Sequence, residues 1–360
     1  MDFTFTEAQD DLSGLARPLL ADRSTTHIPD GTGFDRPLWD TLIRAGLIEA
    51  TLPAPIGNGF GLLEQCTVLM ELGRVAASVP YLTTVAVAAA TIAAFGDDAQ
   101  LRRWVEPITA GQFTLAVALS TDDDRVTATR SATGWQFEGR YSAIPAAAFA
   151  DAVLLEAHTS EGPLLAVLDR DTAGLRITAQ QVVDGADAAL LELDAVRVDS
   201  TNVLGSPGNG AAAWAQRHAT VAVCAYQLGV VERALESTAE YALTRQQFGK
   251  PIGSFQAVRQ RLADAHLDVE AVRLTLWQAA WRESQGLPAD AEIATAKFWA
   301  AEAGHRVAHT MVHVHASIGI FLDYPVHRYF LAAKRTEFLF GSATEQLRTL
   351  ATALTSARSA

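Results

Sequence analysis

RQQFGKPIGSFQ, residues 245–256, interrupts two long alanine-rich segments of helical period. A helical hairpin needs only a short polar connection. An arginine, a Phe-Gly turn, a proline and a glutamine packed into one such connection therefore ask for a reason beyond chain reversal. Upstream, AAWAQRHATVAVCAYQLGVVERALESTAEYAL carries apolar residues at helical intervals. Downstream, the same period holds over residues 255–284, 287–315 and 331–357.

Further out, the pattern changes. From about Phe113, short runs rich in Val, Leu and aromatics (FTLAVAL, GWQFEGRYSAI, DAVLLEAH, GPLLAVLD, ALLELDAVRV) alternate with Gly, Asp and Pro turns, which predicts a β domain closed by GSPGNG at 205–210. The N-terminal stretch is helical. Thr6 and Gln9 have capping-box spacing, Asp35 with Pro37 opens PLWDTLIRAG with Gly46 as its stop, and LLEQCTVLMELGR and TVAVAAATIAAFG continue the period. The expected organisation is α+β and multidomain: a helical domain over 1–112, a β domain over 113–208 and a helical bundle over 209–360.

Composition excludes several function classes. With 28 Lys and Arg against 41 Asp and Glu, the net charge of −13 leaves no basic field for nucleic acid. The two cysteines, Cys66 and Cys224, both lie in apolar helical pattern and read as core thiols rather than a disulfide or a zinc site. No apolar run long enough to span a membrane and no signal-peptide pattern occurs, so a cytoplasmic protein is expected.

YALTRQQFGKPIGSFQAVRQRLAD, residues 241–264, resembles the loop and flanking helices of the acyl-CoA dehydrogenase family. LMELGRVAASVP, FGDDAQLRRWVEPITAGQ and HVHASIGIFLDYPVHRYF resemble further segments of that family in the right order, so the resemblance covers nearly the whole chain. It implies an N-terminal helical domain, a central β-barrel-like domain and a C-terminal four-helix bundle, with FAD as cofactor and an acyl-CoA thioester as substrate. It also implies that Arg245, Phe248 and Gln256 reach across a subunit interface to a neighbour's FAD. The chemistry suits that role: a guanidinium offers charge-assisted donors to a diphosphate, an aromatic gives apolar contact to rings, and an amide both donates and accepts. From the residues alone, a solvated Arg245, a packing Phe248 and a capping Gln256 is the alternative.

Elsewhere the chain departs from the family. The flavin-holding T-E-P-x-A-G-S-D segment reads ALSTDDDRVTAT, leaving Ser120 as a candidate hydroxyl, and Ala143 and Ile144 stand where a tryptophan should stack on the flavin. The Q-x-x-G-G-x-G motif has become His313 to Gly319, with His313, Ser317 and Gly319 as candidate contacts and Ala316 and Ser317 in place of the double glycine. Phe340 occupies the expected place of the catalytic glutamate, and Ala219 the alternative place on the first long bundle helix. Glu337 and Glu345 are offset by three and five residues from Phe340, so no catalytic residue is assigned. His305, His309 and His313, spaced by four, could line one helix face; an interface or core role is favoured over a metal, and no metal is expected. The resemblance thus implies a heteromeric dehydrogenase, an α2β2 assembly with a related subunit that carries the base, similar to actinobacterial enzymes linked to steroid side-chain degradation. Electron-transfer flavoprotein is the implied acceptor. A catalytically inactive homo-oligomeric binding or scaffold relative is the second reading, and an active homotetramer with its base at another position the third.

Overall fold

The structure, a computed structural model, describes residues 3–21, 33–52, 54–121, 125–132 and 134–356. Helices run through Thr109, strands occupy Leu115 to Asp199, and helices resume at Ala211. Contacts group these elements into two compact units: residues 1–27, 62–77 and 220–360 form one, residues 28–61 and 78–219 the other. The division falls inside the 34-residue helix Ala211–Thr244.

The second unit is built on a seven-stranded mixed sheet. Its strands are β1 (Leu115–Ala118), β2 (Val126–Arg130), β3 (Gly134–Pro145), β4 (Ala152–Thr159), β5 (Gly162–Asp169), β6 (Leu175–Gln181) and β7 (Asp187–Asp199), in the order β1-β4-β2-β3-β7-β6 with β5 on β4. β2 and β6 were not expected from the sequence. Both are short and half polar, with burial alternating along β2 as the pleat requires. β1 is buried throughout because the wide-turn helix Tyr81–Ala89, apolar nearly all round, packs on it. The Thr84 hydroxyl ties the two together, accepting from the Leu115 amide and donating to its carbonyl, both at 3.0 Å. Trp135, Phe137, Tyr141, Leu155, Leu191 and Val196 fill the core on the sheet. The expected helix after Asp35 is present as Arg36–Arg44: the Asp35 carboxylate accepts from the Leu38 amide at 2.9 Å, and Gly46 follows the last turn at φ 74°.

The first unit is helical: Glu7–Ala21, Leu62–Arg74, the Ala211–Thr244 helix from Thr220, Gln256–Ser284, Asp290–His315, Val326–Phe338 and Ala343–Ser356. The Thr6–Gln9 capping box forms, with reciprocal bonds of 3.1 and 3.2 Å. Two helices meet on glycines. A Cβ on Gly229 would lie 1.9 Å from the Met70 carbonyl, and one on Gly73 would lie 2.0 Å from that of Tyr226. Cys66 and Cys224 are both fully buried, and burial pushes the Cys224 thiol up to about 12. Glu232 sits between Arg74 at 3.0 Å and Arg273 at 2.7 Å.

One expectation fails here. The continuous helix read over 331–357 is two helices, because the chain turns at Phe340 (φ 57°) and Gly341 (φ 106°), and Ser342 with Glu345 then starts a new helix as a capping box. Apolar spacing continues across the break, so periodicity alone hides it.

Candidate functional site

The RQQFGKPIGSFQ stretch folds as a minimal hairpin. Gln246 pairs with Pro251 and Gln247 with Lys250, closed by the Ile252 amide donating to the Arg245 carbonyl at 2.8 Å. Both central residues, Phe248 (φ 52°) and Gly249 (φ 76°), have positive φ, the requirement of a tight type I′ turn. Asn or Gly normally takes the first of these positions, so an aromatic there carries strain. Its ring is not buried in exchange: Phe248 is 92% exposed, with one edge contact to Phe255 at 6.2 Å. Arg245 and Gln256 are exposed too, and neither side chain bonds to a described residue. A cation, an aromatic ring and an amide therefore stand uncommitted on one hairpin. Gly253 seats it against the preceding helix, where an added Cβ would meet the Ala242 carbonyl at 3.0 Å.

The His313–Gly319 stretch ends the Asp290–His315 helix. Ala316 adopts φ 56°, ψ −140°, a conformation natural to glycine, so the turn keeps a glycine backbone without the residue. Gly319 is needed for closeness, since its Cβ would lie 3.1 to 3.3 Å from His315 and Val312 atoms. His313 and Ser317 are exposed. His315, which sequence reasoning passed over, is buried and stacks on Tyr241 at 4.3 Å. Its Nδ1–H donates to the Met311 carbonyl at 2.9 Å, and burial lowers its pKa. Nε2 has no partner among the described residues.

Among the described residues, the carboxylates near the expected base position are engaged elsewhere. Phe340 lies in the turn after Val326–Phe338, and its carbonyl accepts from Gln346 at 3.3 Å. Glu345 is committed to the Ser342 amide at 2.5 Å, which holds its carboxyl below the usual range. Glu337 accepts from Lys334 at 2.6 Å and lies 3.4 Å from His305. Ala219 is fully buried in the long helix. The adjacent His218 stacks on Trp214 at 3.4 Å, and burial pushes it down to about 3.

In the sheet unit, the Ser120 hydroxyl is 2.9 Å from Tyr141 Oη and 2.7 Å from His158 Nε2, and its amide donates to Glu156 at 3.0 Å. That hydroxyl is occupied within the chain. Asp122 to Asp124 of the same segment lie outside the described residues. Ala143 (φ 53°) sits at an irregularity of β3, its amide donating to Gln180 at 2.7 Å, while Ile144 is buried in the core. Neither presents a ring. Tyr141 and His158 were readable only as a strand residue and a strand-end histidine; nothing in their spacing joins them to Ser120.

The three spaced histidines do not act together. His305 lies tilted against His309 at 4.4 Å and accepts from Lys334 at 3.0 Å, while His309 lies edge-on to Phe330 at 5.3 Å. Among the described residues no group of three or more His, Cys, Asp or Glu is arranged to hold a metal, and no helix is long and apolar enough to cross a membrane.

The residues fit FAD unevenly. The hairpin offers free groups suited to a diphosphate and to rings; the sheet positions offer a committed hydroxyl and no stacking ring.

Comparison with known proteins agrees with the element order. The acyl-CoA dehydrogenase N-terminal domain family matches residues 6–112 and the C-terminal domain family residues 208–355. Acyl-CoA dehydrogenase FadE27 of Mycobacterium tuberculosis is 44% identical over 364 residues, covering 97% of each chain. A chain of the ChsE4-ChsE5 complex from Mycobacterium tuberculosis superposes with a TM-score of 0.95 at 44% identity, covering 99% of both chains. A chain of the Tcur3481-Tcur3483 steroid ACAD superposes at 0.92 with 35% identity, covering 98% and 99%. Butyryl-CoA dehydrogenase from Megasphaera elsdenii superposes at 0.88 with 27% identity, covering 98% and 100%. With a helical N-terminal region, a central sheet and a C-terminal helical bundle, and with both terminal families matched, this chain belongs to the acyl-CoA dehydrogenase family of flavoproteins.

Proposed function

We propose that this chain is one subunit of a heteromeric, FAD-dependent acyl-CoA dehydrogenase, an α2β2 assembly in which a related subunit supplies the catalytic carboxylate. The observation that carries the reading is the hairpin: a strained, exposed Phe248 between an unpaired Arg245 and an uncommitted Gln256. Strain in an exposed aromatic persists when it serves a contact outside the chain. FAD, when bound, supplies the hydride acceptor for α,β-dehydrogenation of the acyl thioester. Arg245 binds and orients the cofactor's diphosphate, Phe248 covers apolar ring surface against water, and Gln256 fixes a polar edge. His313, Ser317 and Gly319 line the second approach of this chain to the same cofactor. The substrate is a steroid side-chain or other lipid acyl-CoA, a class suggested by the steroid ACAD among the similar structures. Electrons pass to an electron-transfer flavoprotein, and the reaction is cytoplasmic. The boundaries 1–112, 113–208 and 209–360 serve as the domain division.

Co-expression with the related subunit tests this. A yellow complex that oxidises acyl-CoA, while the isolated chain is colourless and inactive, is the expected result. One FAD per isolated chain with turnover would sink it, and a colourless, inactive self-assembly would mark a scaffold. In the complex, Arg245→Ala and Gln256→Ala should each weaken FAD retention with little loss of fold stability. For the arginine, losing a charge-assisted bond costs about 1.5–3 kcal/mol, roughly ten- to a hundredfold in affinity. Phe340→Glu should leave the isolated chain inactive, since Ser120 stays committed and no ring replaces Ala143.

A further inference from the structure

One histidine touches the seats of both segments proposed to approach the cofactor. His315 is the last residue of the Asp290–His315 helix, and its ring lies on that of Tyr241, centroids 4.3 Å and planes 21° apart. Tyr241 is where the hairpin begins. Its carbonyl accepts from the Arg245 amide at 2.8 Å, and the next carbonyl, that of Ala242, is the one Gly253 packs against on the way out of the loop. On its other side His315 supports the turn that follows it. A Cβ on Gly319 would lie 3.1 Å from the Cβ of His315, so the turn carrying Ser317 rests on this side chain. Tyr324 stands at 5.8 Å, tilted to the same ring.

The imidazole is fixed in its plane. Nδ1–H donates to the Met311 carbonyl at 2.9 Å, and burial lowers the pKa, which keeps the ring neutral. The cost falls on the other nitrogen. With Nδ1 protonated, Nε2 is an acceptor, yet it is buried with no partner among the described residues, a state that destabilises a fold. A phenylalanine would stack on Tyr241 without that orphan. The imidazole adds the bond to Met311, which ties the stack to the end of its own helix.

We infer that His315 is a positioning residue: it holds the hairpin of Arg245, Phe248 and Gln256 and the turn of Ser317 and Gly319 at one spacing, so that both reach the same cofactor. Each segment needs such a seat. Phe248 and Ala316 hold positive φ at a cost, and a strained segment keeps one geometry only when the packing beneath it is fixed. Spacing matters to the grip as well. A shift of about 1 Å takes a hydrogen bond out of range, so two approaches to one diphosphate work together only if the distance between them is held. The inference rests on the reading of the hairpin as a cofactor contact, but its first readout needs no flavin.

That readout is amide hydrogen exchange of the full chain, comparing wild type with His315→Leu and His315→Phe. Leucine fills the site but cannot stack; phenylalanine stacks but cannot bond to Met311. In the leucine variant the Arg245 and Ile252 amides, which close the base of the hairpin, should exchange roughly tenfold faster, while amides in the middle of the Gln256–Ser284 helix stay within about twofold. Phenylalanine should recover most of that protection. Unchanged protection in the leucine variant, an equal loss throughout the bundle, or no recovery by phenylalanine overturns the inference. Should the leucine variant fail to fold, Tyr241→Leu removes the other half of the stack and gives the same comparison. In the assembled complex, FAD retention should fall roughly tenfold for His315→Leu, and adding Arg245→Ala should cost less than the two losses multiplied, because His315 acts through the placement of Arg245. Multiplied losses, or unchanged retention in His315→Leu where Arg245→Ala loses flavin, also overturn it. If Arg245→Ala alone leaves retention unaltered while hairpin protection still depends on His315, the cofactor reading of the hairpin fails and the positioning role stands.

Discussion

Replacing Ala316 by glycine should stabilise the protein, although it removes a side-chain carbon and adds no contact. Ala316 ends the Asp290–His315 helix at φ 56°, ψ −140°, where a Cβ is crowded by its own backbone and glycine is at ease. Holding a non-glycine residue in such a region costs about 1–3 kcal/mol. Against this stands the extra freedom glycine has in the unfolded chain, about 0.5–1 kcal/mol. The methyl group is exposed, so almost no burial is lost. At the middle of both ranges the net gain is about 1 kcal/mol, or roughly 2–4 °C in melting temperature for a unit of this size. Differential scanning calorimetry of Ala316→Gly beside Ala316→Val reads it directly. Glycine should raise the transition and valine, whose branched carbon worsens the clash, should lower it. A lowered or unchanged transition for the glycine variant would show that the turn is relaxed as it stands. The reasoning about a retained glycine backbone would then be wrong.

Lys297 and His218 give further expected outcomes. Lys297 is fully buried, donates to the Thr336 and Glu337 carbonyls at 3.1 Å each, and burial pushes it down to about 8, so the unfolded chain binds more protons between pH 8 and about 10.5. Wild type should therefore gain stability relative to Lys297→Met as pH rises through that window, by up to roughly 3 kcal/mol, and parallel pH profiles in urea denaturation would contradict it. His218, neutral in the fold and pushed down to about 3, makes the unfolded chain the better proton acceptor between about pH 6.5 and 3. Stability should fall as pH drops through that range, and His218→Gln should flatten the acid limb; an unaltered acid profile would place the loss elsewhere.

What the sequence disclosed depended on whether the cause was local. The Thr6–Gln9 and Asp35 starts and the Gly46 stop were legible because a cap is settled by residues three or four positions apart. The order helical, sheet, helical was legible because the period of burial changes with it. β2 and β6 were not, since a five-residue run ending in arginine and a seven-residue run ending in two glutamines become strands only through their neighbours β3 and β7. The break at Phe340 was missed for the same kind of reason: Gly341 and the Ser342–Glu345 box outweigh an apolar period that runs on through them.

At the candidate site, residue types announced chemistry but not availability. Glu345 and Ser120 have the right functional groups, and only the structure shows the first spent on the Ser342 amide and the second on Tyr141 and His158. Arg245, Phe248 and Gln256, which by residue type alone could be ordinary loop residues and which the family resemblance implies as cofactor contacts, are the groups left unspent. The distinction follows from how each is held. Glu345 at a helix start finds the Ser342 amide and the Ser120 hydroxyl after a strand finds the Tyr141 and His158 side chains, whereas Phe248 in a two-residue turn projects away from the elements that could cover it. A hairpin of that kind keeps its groups free for another molecule only by accepting positive φ at a residue that resists it. The conformation of Phe248, more than its identity, is the observation on which the proposed partner contact rests.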